Sequence, residues 1–265
     1  MIKLIVSDID GTLVPDGSGE GSLNPEYFDV IRDLYNRGIR FAACSGRQYP
    51  SIYKVFRPVA DIIHFICEGG GLVSNGKREM LHCTPLAPDM VREMIQDAMR
   101  ISEIDFMVAG ARCTYCRYED SELYRWVVED YGFDMEAVGD MSQGVDDDVL
   151  KVALYHPEAV EELTKEWFRP KWSKLAKTTM AGKQWLDIVS KESGKGHALD
   201  FLQQYLGILP EETIVFGDNE NDTEMIEHSS KFYVVGSAAP KIKEYADEVC
   251  PPMPEDGVLQ VLKKI

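Results

Sequence analysis

The sequence predicts an α/β protein in which a doubly wound parallel sheet is interrupted by a second, α+β unit. Three observations carry this. The first third of the chain alternates short apolar runs with helical patterns, the same alternation resumes near Lys195, and the pattern between them changes. Alternating strands and helices specify parallel strands joined by right-handed crossovers.

Leu4-Ile5-Val6 reads as a strand buried on both faces. Asn24-Pro25 supplies an N-cap and a first-turn proline, and Phe28, Ile31, Leu34 and Tyr35 recur at helical spacing until Gly38 stops the helix. A second strand follows from Ile39 to Cys44, a helix through Tyr49 to Phe56, and a third strand from Ile62 to Cys67. After the interruption, Leu199, Leu202 and Leu206 mark a helix, and Thr213 to Phe216 and Phe232 to Val235 mark two more strands. In the interruption, Met90, Val91, Met94, Ile95, Ala98 and Met99 fit a helix, and Pro157 to Phe168 a second one. Ile104 to Val108, Thr114 to Tyr118, Lys174 to Thr179 and Gln184 to Val189 fit the strands of an antiparallel sheet, and Asp146-Asp147-Asp148 reads as a solvated loop.

At 265 residues the chain is long enough for two domains, and 45% apolar with 28% charged residues is a globular composition. A formal net charge of −17 disfavours nucleic acid and anionic membrane as partners, since both need cationic surface. Met1-Ile2-Lys3 enters the first strand directly, which predicts no signal peptide, and no apolar run approaches a membrane span. The six cysteines are scattered and read as reduced thiols of a cytoplasmic protein. Cys113-Thr114-Tyr115-Cys116 lacks the second pair or histidines that a zinc site requires.

Candidate chemistry gathers at strand ends, where open α/β sheets place their sites. In Val6-Ser7-Asp8-Ile9-Asp10-Gly11-Thr12, two carboxylates spaced i and i+2 on an extended strand point the same way. Like charges so placed call for a cation or a proton; otherwise the segment is a helix cap or an Asx-turn. Three more segments follow in order: Cys44-Ser45-Gly46-Arg47, Ser193-Gly194-Lys195-Gly196 and Gly217-Asp218-Asn219-Glu220-Asn221-Asp222. Each sits at a strand end or a helix start.

These four segments together resemble the haloacid dehalogenase superfamily, and within it phosphatases of the Cof type. The resemblance runs from Asp8 to the C-terminus, where Glu255-Asp256-Gly257-Val258 is similar to the family's closing segment. It implies a Rossmann-like core, residues 1–82 and 183–265, with a C2-type α+β cap, residues 83–182, inserted between the second and third motifs. It further implies a Mg²⁺-dependent phosphatase acting on a small phosphorylated metabolite, with sugar phosphates foremost and pyridoxal or nucleotide-derived phosphates as alternatives.

Phosphoryl transfer needs an in-line nucleophile, neutralised oxygens and a proton for the leaving group. Asp8 fits the nucleophile, since a carboxylate forms an aspartyl-phosphate. Asp10 fits the general acid and then the base that activates water. The resemblance assigns Mg²⁺ to an Asp8 oxygen, the Asp10 carbonyl and Asp218, and phosphate contacts to Ser45, Asn221 and Lys195. Because the net charge repels phosphate, Mg²⁺, Lys195 and Arg47 are expected to supply the local positive charge. Asp222 supports Lys195 or the metal's surroundings, and Thr12 bonds near the acid or stabilises a turn.

One position departs from the family pattern: Glu68-Gly69-Gly70-Gly71 stands where Glu-Asn-Gly-Ala is usual, so the amide is missing at Gly69. Substrate selection is expected from the cap, where Arg112, Arg117, Tyr115, Tyr118 and Trp185 are either substrate contacts or ordinary surface and core residues. A phosphotransferase or phosphomutase on the same scaffold and a non-catalytic sugar-phosphate binder are the competing functions. The binder would be expected to lack Asp8, Asp10 or Lys195, and all three are present.

Overall fold

The computed structural model describes residues 1–129, 132–181 and 183–265. In chain order the first elements are β1 (Leu4–Asp8), α1 (Glu26–Asn36), β2 (Arg40–Cys44), α2 (Tyr49–Phe56), β3 (His64–Cys67), β4 (Leu72–Asn75) and β5 (Met80–Cys83). Next come α3 (Pro88–Ala98), β6 (Asp105–Gly110), β7 (Thr114–Cys116), α4 (Glu122–Glu129), β8 (Met135–Ala137) and β9 (Val149–Tyr155). Then follow α5 (Val160–Thr164), α6 (Phe168–Trp172), β10 (Lys177–Ala181) and β11 (Trp185–Val189). The chain ends with α7 (Lys195–Leu206), β12 (Thr213–Gly217), β13 (Lys231–Val235), α8 (Pro240–Lys243), β14 (Glu248–Cys250) and α9 (Gly257–Leu262).

The chain divides into two compact units, Met1–His82 with Gly194–Ile265, and Cys83–Ser193. The second junction lies beyond the expected one, and Gly182, where the insertion was expected to end, lies outside the described residues. The reason is pairing: β11 is antiparallel to both β10 and β9, so the segment through Val189 belongs to the inserted unit's sheet.

The first unit's sheet runs β14-β13-β12-β1-β2-β3-β4-β5. It is parallel from β14 through β3, as the alternation predicts, and β4 then pairs antiparallel with β3. That reversal falls on Gly69 and Gly70, with φ of +66° and +100°, and a Cβ at Gly70 would collide with the Gly194 backbone. Only glycine meets both demands at Gly70. Leu4, Ile5 and Val6 of β1 are fully buried. Each such side chain contributes about 1.5–3 kcal/mol of transfer free energy.

Helix α1 turns Tyr27, Ile31 and Leu34 inward and leaves Tyr35 exposed. Tyr27 takes the inward place because its hydroxyl accepts the Leu259 N–H (3.1 Å), which ties α1 to α9. The expected third strand starts two residues late, since Arg57–Ile62 forms a 3-10 turn.

The inserted unit's sheet runs β10-β11-β9-β6-β7-β8 and is antiparallel except for the β7–β8 pair. One face packs Phe106, Val108, Val152, Leu154, Leu186 and Ile188 against α3, α5 and α6. The other packs Met107, Ala153 and Tyr155 with Leu123 and Val127 of α4. Of the helix expected over Pro157 to Phe168 only the short α5 forms, and α6 begins at its last residue; the two bury Val160, Phe168 and Trp172. Among the described residues no helix is long and apolar enough to cross a membrane, and the six cysteines are free thiols.

Candidate active site

Register brings the motifs together. Asp8 is the last residue of β1 and pairs with Cys44 of β2, while Ser7 pairs with Phe216 of β12. The chain therefore leaves β1, β2 and β12 at one edge of the sheet, and Asp8, Ser45 and Asp218 emerge side by side.

Lys195 opens α7 and is 1% exposed. Its Nζ donates to Asp8 Oδ1 and to Asp222 Oδ1, both at 2.6 Å. The second Asp222 oxygen accepts the Asp218 and Asn219 N–H groups, each at 3.0 Å. Asp222 thus locks the loop after β12 onto Lys195 and has both oxygens committed. Thr12 Oγ1 donates to Asp218 Oδ1 (3.0 Å), so of the two readings for Thr12 neither is complete: it orients an acidic residue, but Asp218 rather than Asp10.

Negative charge exceeds positive charge here. Burial pushes the Asp8 carboxyl up, Asp222 and Asp218 add to that push, and the Lys195 ammonium opposes it. Burial works against the charge on Lys195, but Asp222 and Asp8 outweigh it and hold the ammonium well above the ordinary lysine range. Burial, then the Asp222 charge, raises Asp218 to about 6.

Asp8, Asp218 and Asp222 each place a carboxylate oxygen within 4.8 Å of the others. An all-oxygen, charge-rich donor set suits a hard divalent ion, and such an ion would relieve the excess negative charge. Since Lys195 and two backbone N–H groups already occupy Asp222, Asp8 and Asp218 are the side chains that would ligate. Gly11 makes room for this: with φ +77°, a Cβ there would lie 2.5 Å from Asp218 Oδ2.

The Asp10 carboxylate does not join this group. β1 ends before it, and its side chain turns to Arg47. Arg47 Nε donates to Asp10 Oδ2 (2.8 Å) and Nη2 to Asp10 Oδ1, while Nη1 donates to the Ser18 carbonyl (2.6 Å). Arg47, expected to offset phosphate charge, is therefore committed to Asp10; its guanidinium fork matches a carboxylate two-for-two. Ser45 is buried, and its Oγ accepts the Arg47 N–H (3.1 Å) and donates to Asp10 Oδ2 (3.4 Å). Asn221 is exposed and, among the described residues, hydrogen-bonds to none of these groups.

Sequence reasoning missed two features. Glu68 is buried with φ +51°, and its N–H donates to the Arg47 carbonyl (3.0 Å) while Gly69 N–H donates to that of Ser45 (3.0 Å). The loop after β3 is thereby laced to the segment after β2. Ser18 is the other, and only the glycine-rich run Asp16 to Gly21 marked its loop.

In the inserted unit, Arg112 pairs with Asp147 (3.3 Å), and Tyr115 donates to the same carboxylate (3.1 Å). The expected solvated loop is accordingly solvated at Asp146 and Asp148 only; the Asp147 side chain is 2% exposed because it ties Arg112, Cys113 and Tyr115 together. Arg112 and Tyr115 also line a cleft of about 520 Å³ with Glu136, Asp140 and Asp146. Arg117 pairs with Asp105 (3.4 Å) and lies over the Phe106 and Tyr118 rings. Trp185 is partly exposed and packs on Tyr155 (centroids 4.8 Å apart) and Trp126 (5.6 Å).

Residues 5–262 match the family model of the haloacid dehalogenase-like hydrolases. The chain is 25% identical to the Escherichia coli (strain K12) 5-amino-6-(5-phospho-D-ribitylamino)uracil phosphatase YbjI, over 100% of this chain and 96% of that protein. It is 23% identical to the phosphatase of the same description from Bacillus subtilis (strain 168), YitU, over 98% and 96%. A crystal structure from Eubacterium rectale superimposes with a TM-score of 0.92 at 37% identity, covering 99% of this chain and 98% of that one.

Proposed function

The chain belongs to the haloacid dehalogenase-like hydrolases, as a phosphatase of the Cof type, and on that premise we propose that it hydrolyses a small phosphorylated metabolite, a sugar phosphate, with Mg²⁺ and through an aspartyl-phosphate on Asp8. The observation that carries this reading is the buried Lys195 ammonium 2.6 Å from both Asp8 and Asp222, beside Asp218. A carboxylate so placed is held in one orientation and offered to an incoming phosphorus, and the ammonium offsets charge that builds on the phosphoryl oxygens.

Asp8 attacks phosphorus in line; its new P–O bond forms as the bond to the leaving oxygen breaks, and Asp10 delivers a proton to that oxygen. Water then attacks the aspartyl-phosphate, Asp10 takes its proton, and the electron pair of the breaking P–O bond returns to Asp8. Ser45 Oγ and Lys195 Nζ are the donors offered to the phosphate. Asp8, the Asp10 main-chain carbonyl and Asp218 would hold Mg²⁺, which when bound neutralises phosphate charge as a Lewis acid. Asp222 and Thr12 keep Lys195 and Asp218 in place.

The leaving group is selected by the inserted unit in this reading. Arg112 and Tyr115 are tied to Asp147 and Arg117 to Asp105, which leaves the exposed Tyr118 and the partly exposed Trp185 as the foremost contacts among the expected residues. A sugar or ribityl chain fits an aromatic face, and the description of the two relatives as ribitylaminouracil phosphatases supports a polyol phosphate. The test is phosphate release from a panel of sugar, polyol, pyridoxal and nucleotide monophosphates with Mg²⁺. Turnover favouring sugar or polyol phosphates is expected; no release from any member would refute the proposal.

A further inference from the structure

We propose that Arg47 is the positioning residue for Asp10, and that it acts on hydrolysis through that carboxylate and not by touching phosphate. The inference rests on the phosphatase reading and extends it to a residue whose position the motif pattern does not explain.

Arg47 is 3% exposed, and each of its contacts fixes a direction. Nε and Nη2 reach the two Asp10 oxygens, and Nη1 reaches the Ser18 carbonyl at 2.6 Å. Its backbone is anchored as well: the N–H donates to Ser45 Oγ, and the carbonyl accepts the Glu68 N–H. The guanidinium therefore cannot turn to an incoming phosphate without surrendering Asp10 and Ser18 together. A two-pronged ion pair fixes the plane of a carboxylate, which a single contact leaves free to rotate.

The remaining contacts to Asp10 are long. Ser45 Oγ lies 3.4 Å from Oδ2, and Gly17 N lies 3.3 Å from Oδ1. These are the contacts that give way. When phosphate arrives and takes the Ser45 hydroxyl, a lone pair on Asp10 Oδ2 is released while Arg47 keeps the carboxylate in plane. In the second step the water oxygen bonds to phosphorus, its proton passes to that freed lone pair, and the P–O bond to Asp8 breaks with its electrons returning to the Asp8 carboxylate. Inorganic phosphate leaves.

A double-mutant cycle of Arg47→Ala and Asp10→Asn tests this, measured as kcat and KM with the best substrate of the panel and with an aryl phosphate. Arg47→Ala should lower kcat about 10²-fold, the scale for a misplaced catalytic group, and change KM little. In the Asp10→Asn background it should cost nothing further, and methylguanidinium should restore part of the lost kcat in Arg47→Ala but not in Asp10→Asn. Arg47→Lys keeps the charge without the fork and should lose nearly as much as alanine. Multiplied losses in the double variant, a raised KM with normal kcat, or full activity in Arg47→Lys would each overturn the proposal. A wild-type enzyme that releases phosphate from no member of the panel would instead refute the function itself. If Arg47→Ala fails to fold, Arg47→Lys in both backgrounds completes the cycle.

Discussion

Replacing Lys195 with methionine tests the site's electrostatics most directly. Methionine fills a similar volume without the ammonium, so the change isolates charge. Lys195 is 1% exposed, Asp8 6% and Asp222 0%, and both ion pairs are 2.6 Å long. Removing one partner of a buried pair costs about 3–5 kcal/mol, because the other charge is left uncompensated. Two carboxylates are orphaned here, but Asp222 keeps two backbone N–H donors on its second oxygen, so a loss of about 4 kcal/mol at pH 7.5 is expected. In the variant the Asp8 carboxyl, already pushed up by burial, loses the ammonium that opposed the push and binds its proton more tightly folded than unfolded, so stability falls as pH rises and the deficit against wild type shrinks by pH 5.

Urea unfolding with two probes reads this out. The four tryptophans, at positions 126, 167, 172 and 185, all lie in the inserted unit, so fluorescence follows that unit while far-UV circular dichroism follows both. The dichroism transition should move to lower urea. A loss under about 1 kcal/mol at pH 7.5, or a loss equal at pH 5 and 7.5, would show that the ammonium does not compensate these carboxylates.

Asp8→Asn should keep the fold and abolish turnover, since the amide preserves shape but cannot form the acyl phosphate; residual activity above a thousandth of wild type would remove Asp8 as nucleophile, on the order of effect that nucleophile loss produces. Asp10→Asn should slow the first-turnover burst about 10²–10⁴-fold with a sugar phosphate and far less with an aryl phosphate, and equal slowing would exclude it as the acid. Asp218, raised to about 6 in the fold, makes the metal-free protein lose stability as pH rises from about 4 through 6, by about 1–2 kcal/mol after solvent screening. Mg²⁺ should cancel that loss, and a melting temperature flat across this window without metal would contradict the crowding. Gly11→Ala should raise the Mg²⁺ concentration that half-saturates activity about tenfold, since its Cβ lands 2.5 Å from Asp218 Oδ2 at a φ of +77°; unchanged half-saturation by Mg²⁺ would contradict it.

The sequence by itself determined the parallel core. Apolar runs ending in Asp8, Cys44 and Gly217 leave little choice, because strands buried on both faces and separated by helices must pair in parallel and deliver their trailing loops to one edge. Asp8, Ser45, Lys195 and Asp218 were legible for the same reason: each stands at the end of a strand or the start of a helix. Central strand β9 of the inserted unit, Val149–Tyr155, was missed, because its alternation is blurred by burial on both faces. Only the tertiary structure decided where the long side chains go. A guanidinium reaches several ångströms from its backbone, so the Arg47 motif position did not show whether it meets phosphate or Asp10. Asp222 read as a support for either Lys195 or the metal's surroundings until its bonds to Lys195 and to the Asp218 and Asn219 N–H groups were in place. The Cys83–Ser193 unit ends just past the last paired residue of β11, Val189, and pairing between β9 and β11 joins residues 30 to 38 positions apart that no local pattern couples.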